Sequence, residues 1–160
     1  MPPLSRSLAV GSMLAILVPA TILTAQTTDR AIGSWTLDVA KSTYSLTAMP
    51  KSLTVTYATA GQGLTVTAKG VDAQGNPTST GYTANYDGKD SPATGSPDYD
   101  TVSLTRISAS IAHITRKKGG KVVATLQRVV SPDGKVLTIT RKGTDAKGQT
   151  ATDVGVFEKQ

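Results

Sequence analysis

The chain has 160 residues, a formal net charge of +6 and no cysteine. The absence of thiols excludes disulfides, cysteine nucleophiles and zinc–thiolate sites, and it removes the acceptor for a bacterial lipid anchor. The mild excess of basic residues favours anionic partners through a long-range field, but it does not identify nucleic acid as a partner.

Residues 1–25 have the pattern of a secretory signal peptide and are set apart from the fold. Arg6 provides a short basic start, an apolar run covers residues 8–23, and small residues follow. The run contains glycine and proline and is short for a membrane span of about twenty residues. We expect cleavage after Ala25, with Ala20 as the second candidate site and a retained N-terminal anchor as the competing interpretation.

Residues 26–160 have the length of one domain that can bury a hydrophobic core unaided. Because the chain has no disulfides, an exported form depends on that core for its stability. We therefore expect a single domain in the periplasm or outside the cell, with no stable membrane span after cleavage.

From Gly33 onward, apolar and polar residues alternate with period two, and turn residues recur at the roughly 8–12-residue spacing of β-rich folds. No amphipathic helix is evident. Because the links are short and rich in glycine, consecutive strands must pair antiparallel. The predicted strands are 34–40, 52–60, 64–71, 78–86, 101–107, 111–117, 121–130, 135–142 and 150–158, with a short further candidate at 89–93.

One internal repeat supports this all-β meander. Residues 64–75 and 137–148 are identical at eight of twelve positions, so we expect them to form equivalent hairpins. The same alignment sets Tyr82 and Ala84 against Gly155 and Phe157.

Both ends of residues 26–160 resemble those of the lipocalin and fatty-acid-binding-protein superfamily. Gly33-Ser34-Trp35 resembles the Gly-x-Trp that opens those barrels, and Gly155-Val156-Phe157-Glu158-Lys159 resembles the last strand of a fatty-acid-binding protein. The chain is also similar to small exported bacterial proteins described only as lipocalin-like. The resemblance implies an antiparallel up-and-down meander closing into a barrel of about 8–10 strands, and it implies no established ligand.

Two departures from that family bear on function. Fatty-acid-binding proteins hold the ligand carboxylate with an Arg-x-Tyr pair on the last strand, where this chain has Gly155 and Phe157. Residues 41–51 lack the apolar helical period of that family's two-helix lid, so we expect a loop over any barrel opening. Residues 98–100 partly match a second lipocalin motif and are interpreted as a surface turn.

Four predicted strands share the pattern apolar-x-apolar-x-Arg. Period two places each arginine on the apolar face of its strand. Since neighbouring strands run in opposite directions, Arg106 and Arg128 share one end of the barrel, and Arg116 and Arg141 share the other.

The number of strands decides which arginine pair lies at which end. If residues 89–93 form a strand, Arg106 and Arg128 lie at the end that holds Trp35 and Phe157; without it, the two pairs exchange ends. In the first case the resemblance implies an arginine stacked over Trp35 that closes this end, as guanidinium on indole.

The other pair, Arg116 and Arg141, would then flank the open mouth, where two guanidinium groups can receive a carboxylate or phosphate. The alternative is that both extend to solvent from the rim. Tyr82 and Tyr86 share the face aligned with Gly155, so they are further candidates for ligand contact. Filling of the core is the alternative use of these tyrosines.

Several functional classes find no support in the residues. No phosphate-binding loop, nucleophile elbow or paired catalytic carboxylates can be found, so we expect no enzyme and no cofactor. His113 is the only histidine and is predicted to point outward, so no metal site is expected. The basic segment 116–121 lacks nearby stacking aromatics, which argues against specific nucleic-acid binding.

We therefore expect an exported barrel that binds a small apolar or amphipathic ligand in its interior. The chain has one Trp, five Tyr and one Phe, so a ten-strand barrel would leave a cavity, whereas about eight strands could be filled by side chains. The alternative is a filled barrel whose surface loops, residues 41–51 and 87–100, bind another protein or the cell envelope.

Overall fold

A computed structural model describes residues 28–145 and 147–160, so the predicted signal peptide lies outside the described residues. This part of the chain forms ten strands and contains no helix. It therefore includes no helix with the length and apolarity needed to cross a membrane. The strands are β1 (Gly33–Leu37), β2 (Ser52–Ala60), β3 (Gly63–Val71), β4 (Pro77–Asn85), β5 (Ser91–Thr94), β6 (Thr101–Arg106), β7 (Ile111–Lys118), β8 (Lys121–Val130), β9 (Val136–Thr144) and β10 (Thr150–Lys159).

The ten strands close into one antiparallel barrel. Each strand pairs with the next along the chain, and β10 returns to pair with β1. Trp35 is central to the closure because it lies opposite Val55 on β2 and Lys159 on β10. The all-β meander predicted from the alternation, and its closure into a barrel implied by the two ends of the chain, are both confirmed.

The short candidate strand exists as β5, but it begins at Ser91 and ends at Thr94. The Asp87 carboxylate accepts a hydrogen bond of 3.0 Å from the backbone N–H of Lys89, which holds this segment in a turn. The predicted start at residue 89 was therefore wrong by two positions. The existence of β5 makes the number of strands ten.

The first strand is shorter than its residue pattern indicated. It ends at Leu37 rather than at residue 40. The Asp38 carboxylate accepts a 3.1 Å hydrogen bond from the N–H of Lys41, and the Ser42 hydroxyl donates to the Asp38 carbonyl at 2.6 Å. These bonds turn the chain away from the sheet and start a loop over residues 38–51.

The internal repeat forms two equivalent turns, as expected. Between β3 and β4, the Asp72 carboxylate accepts a hydrogen bond from the N–H of Asn76 at 2.8 Å. Between β9 and β10, the Asp145 carboxylate accepts one from the N–H of Gln149, also at 2.8 Å. The same side chain-to-backbone bond therefore closes both hairpins at the same end of the barrel.

A short segment before β1, residues 28–32, crosses the other end of the barrel. The Arg30 N–H donates to the Ala109 carbonyl at 2.9 Å, and its guanidinium donates to the Pro132 carbonyl at 2.6 Å. The Trp35 indole N–H donates to the Ala31 carbonyl at 2.7 Å, and both residues are fully buried. This end, which we call the closed end, is thus tied to the turns that follow β6 and β8.

A buried ion pair lies at the centre of the closed end. Arg128 is only 2% exposed, and its Nη2 donates to both oxygens of Asp29 at 2.9 and 2.7 Å. The Tyr86 hydroxyl and the Ala31 N–H also donate to this carboxylate. The Nη2 of Arg106 lies 3.6 Å from Asp29 Oδ2. The carboxylate therefore neutralises guanidinium charge that would otherwise be buried at high cost.

The pKa of Asp29 reflects these contacts. Burial alone would raise it, but the positive charge of Arg128 and the hydrogen bonds from Tyr86 and Ala31 outweigh the loss of solvation. The pKa of the carboxyl group therefore lies below its ordinary value, and Asp29 remains charged in the folded protein.

The structure differs from the expectation of an arginine stacked over Trp35. The Lys159 ammonium lies 5.4 Å from the indole centroid. Arg128 lies over the ring of Tyr57 at 5.0 Å, and Arg106 lies over the ring of Tyr86 at 4.3 Å. The reason is Asp29, which draws both guanidinium groups toward its carboxylate. Trp35 and Phe157 are buried in a common cluster beside them.

Replacement of Asp29 by Asn is expected to lower the free energy of unfolding by about 3–5 kcal/mol, because the buried Arg128 keeps its charge without a carboxylate. Urea denaturation at neutral pH, followed by circular dichroism, measures the difference. Asp87→Asn removes an exposed carboxylate of the same type and should cost less than about 1 kcal/mol.

The pH dependence gives a second readout of the same variant. Because the pKa of Asp29 is lowered by folding, its stabilising effect is present above the ordinary value of 3.8 and is lost as the pH falls through the folded-state pKa. Below about pH 4, the wild-type protein should therefore lose stability more steeply than Asp29→Asn. Parallel pH profiles for the two proteins would contradict the role of this ion pair.

Candidate functional site

A cavity of about 300 Å³ occupies the barrel at the end opposite Asp29. Its lining includes Arg116, Arg141 and four tyrosines, together with small inward residues such as Ala68 and Gly155. Small side chains at inward positions of a ten-strand barrel leave space that the few aromatic residues do not fill. The interior is therefore not filled, whereas the alternative of a barrel that binds only through its loops required a filled interior.

Arg116 stands on the wall of this cavity. It is the last inward residue of β7, because the strand pairing shifts between Arg116 and Lys117 and Lys118 is exposed. Its guanidinium lies over the Tyr99 ring at 4.4 Å. Its Nε is buried without a hydrogen-bond partner, and no hydrogen bond or ion pair joins its guanidinium to any of the described residues. The positive charge of Arg116 is therefore available to a ligand.

Arg141 also lines the cavity, but its charge is partly compensated. It lies opposite Asp153 on β10, and its Nη1 is 3.9 Å from Asp153 Oδ2. The Asp153 carboxylate is buried, and the Arg141 side chain is about one-fifth exposed. The two arginines predicted at the mouth are thus brought to one cavity, but their charges are not equivalent.

Asp153 holds the loop of residues 38–51 over the mouth of the cavity. One carboxylate oxygen accepts 2.7 Å hydrogen bonds from the N–H groups of both Ser45 and Leu46, and the other accepts a 2.8 Å bond from the Thr47 hydroxyl. The backbone of Thr43 also pairs with that of Val154. The mouth is therefore covered by a pinned loop, as expected from the missing lid helices.

Tyr44 enters the barrel from this loop because Gly155 leaves room for it. A Cβ at position 155 would lie 3.1 Å from the Tyr44 hydroxyl oxygen and 2.9 Å from Phe157 Cε2. Both distances are shorter than ordinary van der Waals contacts. The position where the resemblance implies a carboxylate-binding arginine is thus a glycine that admits a tyrosine from the loop.

Tyr99 corrects the interpretation of residues 98–100 as a surface turn. Its side chain is only 6% exposed and packs in the barrel. The Asp100 carboxylate accepts a 2.9 Å hydrogen bond from the N–H of Gly119, and the Asp100 N–H donates to the Lys117 carbonyl at 2.9 Å. The loop is thereby tied to the β7–β8 hairpin, which directs Tyr99 toward Arg116.

Of the two tyrosines predicted as ligand contacts, the structure places one in the cavity. Tyr82 lines it, and its side chain is partly buried. Tyr86 lies at the closed end, where its hydroxyl donates to Asp29 and accepts a 3.2 Å hydrogen bond from Arg128. The physical reason is its position beyond the end of β4, two residues nearer the closed end than Ala84.

Two cavity residues were missed although the alternation pointed to them. Tyr57 lies two residues after the inward Val55, and Asp153 lies two residues before the inward Gly155. Period two places both pairs on the same face. Tyr57 also contacts Arg128, so its ring lies between the closed end and the cavity.

The cavity tyrosines remain protonated at neutral pH. Burial raises the pKa of Tyr57 to about 12, and it raises the pKa of Tyr82 well above the ordinary value. Burial and the charge of Asp153 raise the pKa of Tyr44. The charge of Arg116 opposes the increase in all three cases. These phenols are therefore neutral hydrogen-bond donors near one arginine.

The chain matches no protein-family model and no curated protein. A matching solved structure is the zebrafish ileal bile acid-binding protein complexed with cholic acid, at 13% identity and a TM-score of 0.48, covering 82% of this chain and 99% of that chain. Within the described residues, no cluster of His, Asp and Glu has an arrangement suited to a metal ion.

Replacement of Asp153 by Ala is expected to speed hydrogen exchange at the Ser45 and Leu46 amides by about tenfold or more, because each loses a charge-assisted hydrogen bond. Asp153→Asn retains the one oxygen that both amides use and should keep most of the protection. Amide exchange followed by NMR measures both variants. Unchanged exchange in Asp153→Ala would contradict the pinning of the loop.

Proposed function

We propose that the barrel binds a small amphipathic molecule non-covalently, with the anionic end of the ligand held by Arg116. The single observation that carries this proposal is the guanidinium of Arg116, which lies on a cavity wall without a hydrogen bond or ion pair to the described residues. Arg116 is half-buried, so its guanidinium has lost part of its hydration, and an anionic ligand would supply charge-assisted hydrogen bonds in its place.

The rest of the lining supports the amphipathic character of the ligand. Val55, Leu126 and Phe157 contribute apolar side chains to the same cavity as Arg116 and Tyr82. A pocket that is mostly apolar, with a few polar groups at defined places, is the usual form of a small-molecule site. The apolar part of the ligand would be buried against these side chains, and its charged end would face Arg116.

The first test is native mass spectrometry of the protein purified from its own source, which should reveal a retained small molecule. Binding of an anilinonaphthalenesulfonate probe is then measured by isothermal titration calorimetry. Calorimetry is preferred to tryptophan fluorescence because Trp35 lies at the closed end, opposite the cavity. There it is fully buried, and its indole N–H is hydrogen-bonded to the Ala31 carbonyl.

Arg116→Gln is expected to weaken binding of that probe by about 10–100-fold, because charge-assisted hydrogen bonds to its sulfonate are lost. Arg141→Gln should have a smaller effect, since Asp153 already compensates part of its charge. Lys142→Gln is the matched control, because it removes one positive charge from an exposed position on β9, next to Arg141. Equal affinity for wild type and Arg116→Gln, with no retained molecule, would overturn the proposal.

We also propose, from the pattern of residues 1–25, that the chain is exported to the periplasm or beyond. When the full chain is expressed in a bacterial host, N-terminal sequencing of the soluble protein is expected to begin at Gln26. A start at Thr21 would identify Ala20 as the cleavage site. A full-length chain recovered from the membrane would instead support the retained anchor and contradict cleavage.

A further inference from the structure

We infer that the cavity selects a compact aromatic molecule with a single negative charge. This inference deepens the proposed function and depends on it. Three features of the cavity carry it: the pairing of its charged side chains, the tyrosines gathered around Arg116, and its small volume.

The charged residues that line the cavity favour a ligand with one negative charge. Arg116 and Arg141 contribute two positive charges, and the buried Asp153 contributes one negative charge. Asp153 pairs with Arg141, whereas no carboxylate of the described residues lies within ion-pair distance of Arg116, so the charge of Arg116 is the one that a ligand would pair with. Two further carboxylates, those of Asp72 and the exposed Asp98, also line the cavity and disfavour a second negative charge.

The aromatic character follows from the tyrosines around Arg116. Four of the five tyrosines in the chain line this cavity: Tyr44, Tyr57, Tyr82 and Tyr99. The Tyr99 ring is stacked on the Arg116 guanidinium, and the charge of Arg116 acts on the other three hydroxyls. Aromatic rings pair with one another more favourably than their buried area alone accounts for. The wall is therefore suited to a flat ring next to an anion.

The phenol hydroxyls add a second preference. None of the four donates or accepts a hydrogen bond with any of the described residues. Because they are neutral, they can donate to the oxygens of an anion held by Arg116. A cavity of about 300 Å³ is at the lower limit for small-molecule sites, so a compact ring system fits better than a long flexible chain.

The test compares the binding of 2-naphthoate and undecanoate to residues 26–160 by isothermal titration calorimetry. Both ligands are monocarboxylates with the same number of carbon atoms. The naphthoate is expected to bind about tenfold or more tightly, because its rings pair with the tyrosines. Naphthalene-2,6-dicarboxylate, which carries a second charge, is expected to bind about tenfold or more weakly than 2-naphthoate.

Tyr82 provides a matched pair of variants, since its ring is not the one stacked on Arg116. Tyr82→Leu should lower the preference for 2-naphthoate over undecanoate about tenfold, because the loss of the hydroxyl affects both acids and the loss of the ring affects only the naphthoate. Tyr82→Phe should retain the preference for naphthoate because it keeps the ring. Circular dichroism and urea denaturation of the Leu variant check that it is folded.

The outcomes separate this inference from the proposed function. Equal binding of the two acids, with both weakened in Arg116→Gln, would overturn the aromatic preference and leave the ligand-binding function standing. Tight binding of the dicarboxylate would overturn the single charge. If the protein binds neither acid and does not bind the anilinonaphthalenesulfonate probe, the proposed function is overturned together with the inference.

Discussion

The pairing of the inward guanidinium groups connects the two ends of this barrel and its cavity. Inward arginines occur at both ends, and an anionic partner stabilises a guanidinium group that has lost its water. At the closed end, Asp29 accepts two hydrogen bonds from the nearly inaccessible Arg128 and also attracts Arg106. At the other end, Asp153 lies beside Arg141 but is engaged mainly with the loop above it. Among the described residues, Arg116 has a ring contact with Tyr99 but no hydrogen bond or ion pair, and it lines the cavity.

The loops complete the interior at the open end. Residues 38–51 place Tyr44 over Gly155, and the loop before β6 places Tyr99 under the guanidinium of Arg116. Each loop is held by a carboxylate that accepts hydrogen bonds from backbone N–H groups. Asp153 holds residues 38–51, and Asp100 holds the loop before β6. The same type of bond that fixes the loops thereby positions the aromatic rings of the cavity.

Much of the fold could be predicted from period-two alternation and turn chemistry. The nine longer strands were found, the tenth was recognised as a candidate, and the repeat correctly matched two hairpins. Alternation also placed the four arginines inward. It failed for Tyr99 because loop residues have no period, and the direction of a loop side chain depends on bonds such as that between Asp100 and Gly119. It also failed for Tyr86, since Asp29 precedes the first strand and carries no periodic signal.

The sequence by itself determined the antiparallel meander, the inward face of each strand and the presence of an arginine at the end of four of those faces. These properties are local, because they follow from spacing within single strands and from short turns. Only the tertiary structure decided which arginines are neutralised. Asp29 and Arg128 are separated by 99 residues, and Asp153 reaches a loop more than 100 positions earlier in the chain. Such pairings arise only when the barrel closes and brings distant charges into one low-dielectric interior.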